Sequence, residues 1–170
     1  TEYASAMLDG LEQCHPPLGK FAVFGNHDLW TDERALESML AGAGVRVLVN
    51  QNVALPTPFD SISVCGMDDP WTGFRDARRT FAGAGDTRIL LMHAPDGLQL
   101  LGKEKFDLGF AGHTHGGQMA LPNGTPIVMP HGVLAREYFH GRFDLPEQGC
   151  LIVSRGIGCS TVPVRINADP

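Results

Sequence analysis

Three short apolar runs, Phe21-Ala22-Val23-Phe24, Ile89-Leu90-Leu91-Met92 and Leu108-Gly109-Phe110-Ala111, constrain this chain most, because each is followed within two residues by an Asn or a His. Runs of this length and apolarity fit strands buried on both faces, as in a parallel sheet covered on either side. In such sheets the ligand crevice lies beyond the carboxyl ends of the strands. Asn26, His27, His93, His113 and His115 are therefore predicted to converge.

Helical spacing occupies the intervals between these runs. Ala4, Met7, Leu8, Leu11 and Cys14 predict an amphipathic helix over the first fifteen residues, stopped by Pro16-Pro17. Thr31 is the expected cap of a second helix, with Asp32 and Glu33 in its first turn and Gly42 and Gly44 at its end. Strands are expected at Val45 to Val49, Val53 to Leu55 and Ile62 to Gly66, and helices at Phe74 to Ala82 and Ala94 to Leu101. Beyond Gly117 the helical signal stops, and β-type runs follow at 118–121, 127–129, 137–143, 150–154 and 162–166. Strands alternating with helices, then a strand-rich tail, predict a mixed α/β (α+β) sandwich of sheets with helices outside. The 170 residues suffice for one core, and a second domain is not expected.

Composition narrows the function. A formal net charge of -6 argues against a nucleic-acid surface, since non-specific affinity for polyanions comes from Lys and Arg. A small anionic substrate would then need bound cations. No apolar run approaches the ~20 residues that span a bilayer. Cys14, Cys65, Cys150 and Cys159 contain no C-x-x-C pair, so buried free thiols are the default reading, with disulfides left open.

Imidazole, amide and carboxylate donors suit Zn, Mn or Fe rather than soft copper(I). His113-Thr114-His115 is an H-x-H pair, which on an extended segment would turn both rings to one side. Such pairs also open amidohydrolase and metallo-β-lactamase sites, or simply mark a tight turn. Gly116 and Gly117 beside the pair would permit close approach to an anion. In Gly25-Asn26-His27-Asp28, Asn26 can offer its amide oxygen to a metal, His27 can meet a leaving oxygen, and Asp28 can hold that imidazole in one tautomer. Asp68-Asp69-Pro70 reads as a solvated turn that could line the cleft. Arg75, Arg78 and Arg79 read as a solvated helix face, His131, Tyr138 and His140 as structural residues near substrate access, and His15 as a helix end.

In their order and spacing, Gly25-Asn26-His27-Asp28, His93 and Gly112-His113-Thr114-His115 resemble three motifs of the calcineurin-like metallophosphoesterase superfamily: G-N-H-[DE], a lone H, and G-H-x-H. The continuation Gly116-Gly117-Gln118, with Ser154-Arg155-Gly156-Ile157-Gly158 later, is similar to its bacterial envelope-type phosphodiesterase branch. The resemblance implies a four-layer αββα sandwich and two divalent metal ions (Mn, Fe or Zn). It would place Asn26, His93 and His113 on one ion and His115 on the other, with His27 and Asp28 as catalytic residues. Gly116 and Gly117 would lie against the substrate, a small phosphoester or a lipid-linked phosphodiester.

The family's D-x-H and G-D-x-x-D motifs do not occur here. The expectation is therefore of the carboxyl-terminal part of a metallophosphoesterase domain, incomplete at its amino end. Such a fragment would hold at most one ion well and would be weakly active or inactive. It would also expose a sheet edge through which two copies pair as a homodimer. The competing reading is a non-catalytic binding module of the same fold that has lost its metals.

Overall fold

The computed structural model describes residues 2–170, with side chains from Met7 onward. Thr1, and the Ala4 side chain expected on the first helix's apolar face, lie outside the described residues. Helix α1 spans Glu2–Gln13, and strand β1, Lys20–Ala22, follows the two prolines. Helix α2, Glu33–Gly42, is capped by Asp32, whose Oδ1 accepts the Ala35 N–H at 3.0 Å. Thr31 instead closes the single 3-10 turn before it. Strand β2, Val45–Val47, pairs in parallel with β1 to make a two-stranded sheet.

The second sheet has six strands: β3 (Gln51–Ala54), β4 (Ile62–Gly66), β5 (Thr87–Leu91), β6 (Leu108–Ala111), β7 (Gly141–Leu145) and β8 (Gly149–Val153). Their order is β3-β4-β5-β6-β8-β7, with β4, β5, β6 and β8 mutually parallel and antiparallel strands at both edges. The expected strands at 62–66 and 108–111 match, and those near 89 and 150 shift by one or two residues.

Side-chain alternation divides the core into layers. Ala22, Val45 and Val47 pack with Leu8, Leu11, Leu36 and Leu40 of the first two helices. From the other face of the small sheet, Phe21 and Leu48, which follows β2, join Ile62, Val64 and Leu91 of the inner face of the large sheet. The opposite face of the large sheet presents Cys65, Leu90 and Leu151 to Phe81, Leu98 and Leu101. Phe81 ends helix α3, Ala77–Phe81, and Leu98 lies in a 3-10 turn, Pro95–Leu100. The sequence of layers is helix, sheet, sheet, helix, the mixed α/β arrangement expected. The two-stranded sheet covers only part of its partner: Phe110, on the same face as Leu91, is 40% exposed. The total surface of 9827 Å² accordingly exceeds the roughly 8,000 Å² of a compact chain of this mass. Among the described residues β1 pairs only with β2, so its outer edge is free.

Helix α3 is shorter than expected because its approach is fixed otherwise. Asn50 Oδ1 accepts the Asp68 and Asp76 N–H groups, and Asp68 Oδ2 accepts that of Phe74 at 2.7 Å. The tail also departs from the β reading. Segment 118–121 makes only isolated bridges, Met119 with Ile166 of the 162–166 segment and Ala120 with Pro126. Pro126, Pro130 and Pro163 donate no ladder hydrogen bond, and the left-handed backbone at Gln118 and Thr161 bends the chain out of register. No described helix is long and apolar enough to cross a membrane.

Candidate active site

The carboxyl ends of β1, β5 and β6 bring the predicted donors together. Asn26, four residues beyond β1, is buried, and its Oδ1 lies 2.9 Å from His93 Nε2. His93, two residues beyond β5, also has Nε2 3.0 Å from His113 Nδ1. The far nitrogen of His113, Nε2, lies 3.1 Å from the His131 carbonyl. A carbonyl only accepts, so the hydrogen-bond pattern assigns the proton to His113 Nε2 and leaves Nδ1 bare. Burial, then the neighbouring His113, push the His93 pKa down to about 4, with the Asp69 carboxylate acting in the opposite direction. Burial also lowers that of His113. Both rings are therefore neutral near pH 7.

Three electron-rich atoms thus converge with at most one proton among them. One N–H on His93 cannot serve Asn26 Oδ1 and His113 Nδ1 equally well, whereas a single cation can accept all three lone pairs. This donor chemistry fits a borderline divalent ion. Among the described residues no three His, Cys, Asp or Glu side chains form a group that would cage an ion without the amide.

The H-x-H segment is not extended. His113 and His115 have φ of 68° and 52°, while Thr114 between them is right-handed helical. The period-two argument fails for that reason, and the two rings make different contacts. His113 meets His93, whereas His115 Nδ1 lies 3.4 Å from Arg165 Nη2. Burial first, and then Arg165, lower the His115 pKa. Left-handed non-glycine residues are uncommon and cluster in ligand-holding segments. Gly117 lines the cleft, while Gly116 is buried where a Cβ would meet the Arg155 side chain at 2.9 Å.

His27 is exposed, stacks on Trp30 at 4.7 Å between centroids, and faces the cleft. Asp28 Oδ2 accepts the Gly25 N–H at 2.8 Å. Among the described residues it makes no hydrogen bond to His27, so it braces the loop rather than the imidazole. The cleft holds about 490 Å³, and Trp30, Met119, Val128, Met129 and Val162 line it together with the imidazoles. Gln118 fastens one wall: Nε2 donates to the Val162 and Val164 carbonyls, and Oε1 accepts the Ser160 N–H.

Asp68-Asp69-Pro70 is not a solvated turn, because Asp68 is 7% and Asp69 0% exposed. Trp71, which sequence reasoning missed, packs at a tilt against His113, 4.6 Å between centroids, and edge-on against His131 at 4.3 Å. The available signal was an aromatic residue just past the polar end of strand β4. The segment after His131 is held by Asp96, whose carboxylate accepts the N–H groups of Val133, Leu134 and Ala135. Arg165 was missed too; its guanidinium donates to the carbonyls of Arg155, Gly156, Gly158, His115 and Ala168.

Comparison with known proteins gives several relatives. Phosphodiesterase YaeI of Escherichia coli is 34% identical over 98% of this chain and 60% of its own length. The uncharacterized metallophosphoesterase YkuE of Bacillus subtilis is 30% identical over 99% of this chain and 59% of its own. UDP-2,3-diacylglucosamine pyrophosphatase LpxG of Chlamydia trachomatis is 32% identical over 72% of this chain and 39% of its own. The chain spans about three fifths of the length of the first two. No family model and no solved structure matches.

Proposed function

The chain belongs to the calcineurin-like metallophosphoesterase family, and from that premise we propose that the protein hydrolyses phosphoesters, phosphodiesters in particular, with divalent metal ions in its cleft. The observation that carries this reading is the meeting of Asn26 Oδ1, His93 Nε2 and His113 Nδ1 with at most one proton among them. These three residues would hold one ion, and His115 would contribute a single nitrogen toward a second. When bound, such ions withdraw charge from phosphoryl oxygens and lower the pKa of water.

The chain's own groups supply the rest. His27, exposed at the cleft, carries the proton to the leaving oxygen. Asp28 holds the loop that presents it. His131 fixes the tautomer of His113 through its carbonyl. The apolar wall of Met119, Val128, Met129 and Val162 accepts the apolar part of a substrate. That wall, with a relative named for UDP-2,3-diacylglucosamine, supports a lipid-linked phosphodiester beside small phosphoesters.

The test is ion binding by the purified protein and its His93→Ala and His113→Ala variants, with turnover of a generic phosphodiester alongside. The expected result is bound Mn2+ or Zn2+ that both substitutions remove, with turnover weak and dependent on the ion. A wild-type protein that binds neither ion would favour the metal-free binding module.

A further inference from the structure

The loop after β4 carries a carboxylate with an unanswered charge. Asp69 is fully buried, and its Oδ2 accepts the Trp71 N–H at 3.0 Å, the Thr72 N–H at 2.7 Å and the Thr72 hydroxyl at 2.7 Å. Its other oxygen, Oδ1, is buried with no hydrogen-bond partner among the described residues. Leaving a charged acceptor unsatisfied in the interior is costly, so such an atom calls for a positive charge nearby.

Topology places that carboxylate beside the site. Strands β4, β5 and β6 are adjacent and parallel, and the Met67 N–H donates to the Leu91 carbonyl, carrying the segment after β4 along the end of β5. Asp69, His93 and His113 thus follow the carboxyl ends of three neighbouring strands. The turn it closes also sets Trp71, whose ring lies 4.6 Å from that of His113 and 4.3 Å from that of His131.

We infer that Asp69 is a positioning residue of this site. Its Oδ2 fixes the turn that holds Trp71 against His113, and its charge strengthens the hold of Asn26, His93 and His113 on a divalent cation. The inference rests on reading those three as a cation site. It adds a fourth strand end, with a carboxylate that the family motifs quoted above do not include.

Asp69→Asn separates charge from positioning, because the amide oxygen still accepts from Trp71 and Thr72. Mn2+ titration of the purified protein by calorimetry is expected to give a Kd about 10- to 100-fold weaker in this variant. Its tryptophan emission and the thermal midpoint of the metal-free form are expected to match the wild type. Asp69→Ala is expected to weaken Mn2+ binding and also shift the tryptophan emission, as the Trp71 turn loosens. If Asp69→Asn does not fold, Asp69→Ser, which keeps an acceptor for the turn, is read in the same way. Unchanged Kd in a folded neutral variant, beside a wild type that binds Mn2+, overturns the inference alone. A wild type that binds no Mn2+ overturns the cation-site reading and this inference with it.

Discussion

Gly25 lies directly against the His93 imidazole: a Cβ at position 25 would stand 2.5 Å from two of its ring atoms. No real Cβ contact is that short, so the glycine before Asn26 is what lets the end of β1 reach the end of β5. Gly25→Ala is expected to displace His93, weaken ion binding at least tenfold, and destabilise the fold by about 1–3 kcal/mol. Calorimetric ion titration and denaturant unfolding read the two effects; wild-type values in both would remove the steric argument.

His27 and His93 are expected to fail differently. His27→Ala should lower turnover by about 10²–10⁴, the usual contribution of a positioned proton donor, and leave ion affinity intact. His93→Ala should remove the ion and turnover together. Loss of the ion in His27→Ala would assign it to the ligand set instead.

Gln118 makes three hydrogen bonds, to Ser160, Val162 and Val164, that hold the Ser160 and Val162 wall of the cleft. Gln118→Leu is expected to lower stability by about 1–3 kcal/mol and to raise KM more than it lowers kcat, since the wall contacts substrate and not the proposed ligands. An unchanged denaturation midpoint would show that water replaces these bonds at no cost.

Cys65 supplies a pH test away from the site. Burial pushes its pKa up to about 11, against a smaller opposing effect of Arg88. The native state thus keeps the proton where the unfolded chain releases it. Stability from this thiol is full below pH 9 and falls as pH rises toward 11, by on the order of 3 kcal/mol at most. The difference in pH dependence between wild type and Cys65→Ala isolates it. At pH 8.5 a thiol reagent is expected to modify the exposed Cys14 and Cys159 and to spare Cys65 until unfolding.

Much of this was legible in the chain itself. Apolar runs ending on Asn or His announced strands and donors together, although the two-stranded sheet leaves β1 half-buried and Phe110 of β6 exposed. The Asn26, His93 and His113 cluster follows from that. The contacts of His115 did not, since an H-x-H pair has a predictable direction only on an extended backbone, and this one alternates between left- and right-handed turns. Asp69 and Trp71 stayed hidden because two aspartates and a proline have the composition of a solvated turn. Only the pairing of β4 with β5 draws them inward. The tail misled in the opposite sense: its β-branched residues alternate well enough, but its prolines deny the ladder its donors.

Asn26 stands on one sheet, and His93 and His113 on the other. Among the described residues no strand pairing links the two sheets, so the 2.9 Å between Asn26 and His93 is gauged by the apolar filling between them, chiefly Leu48, Leu55 and Val64. That filling is the site's calliper. Trimming it, as in Val64→Ala, would alter the grip on an ion without touching any atom that meets one.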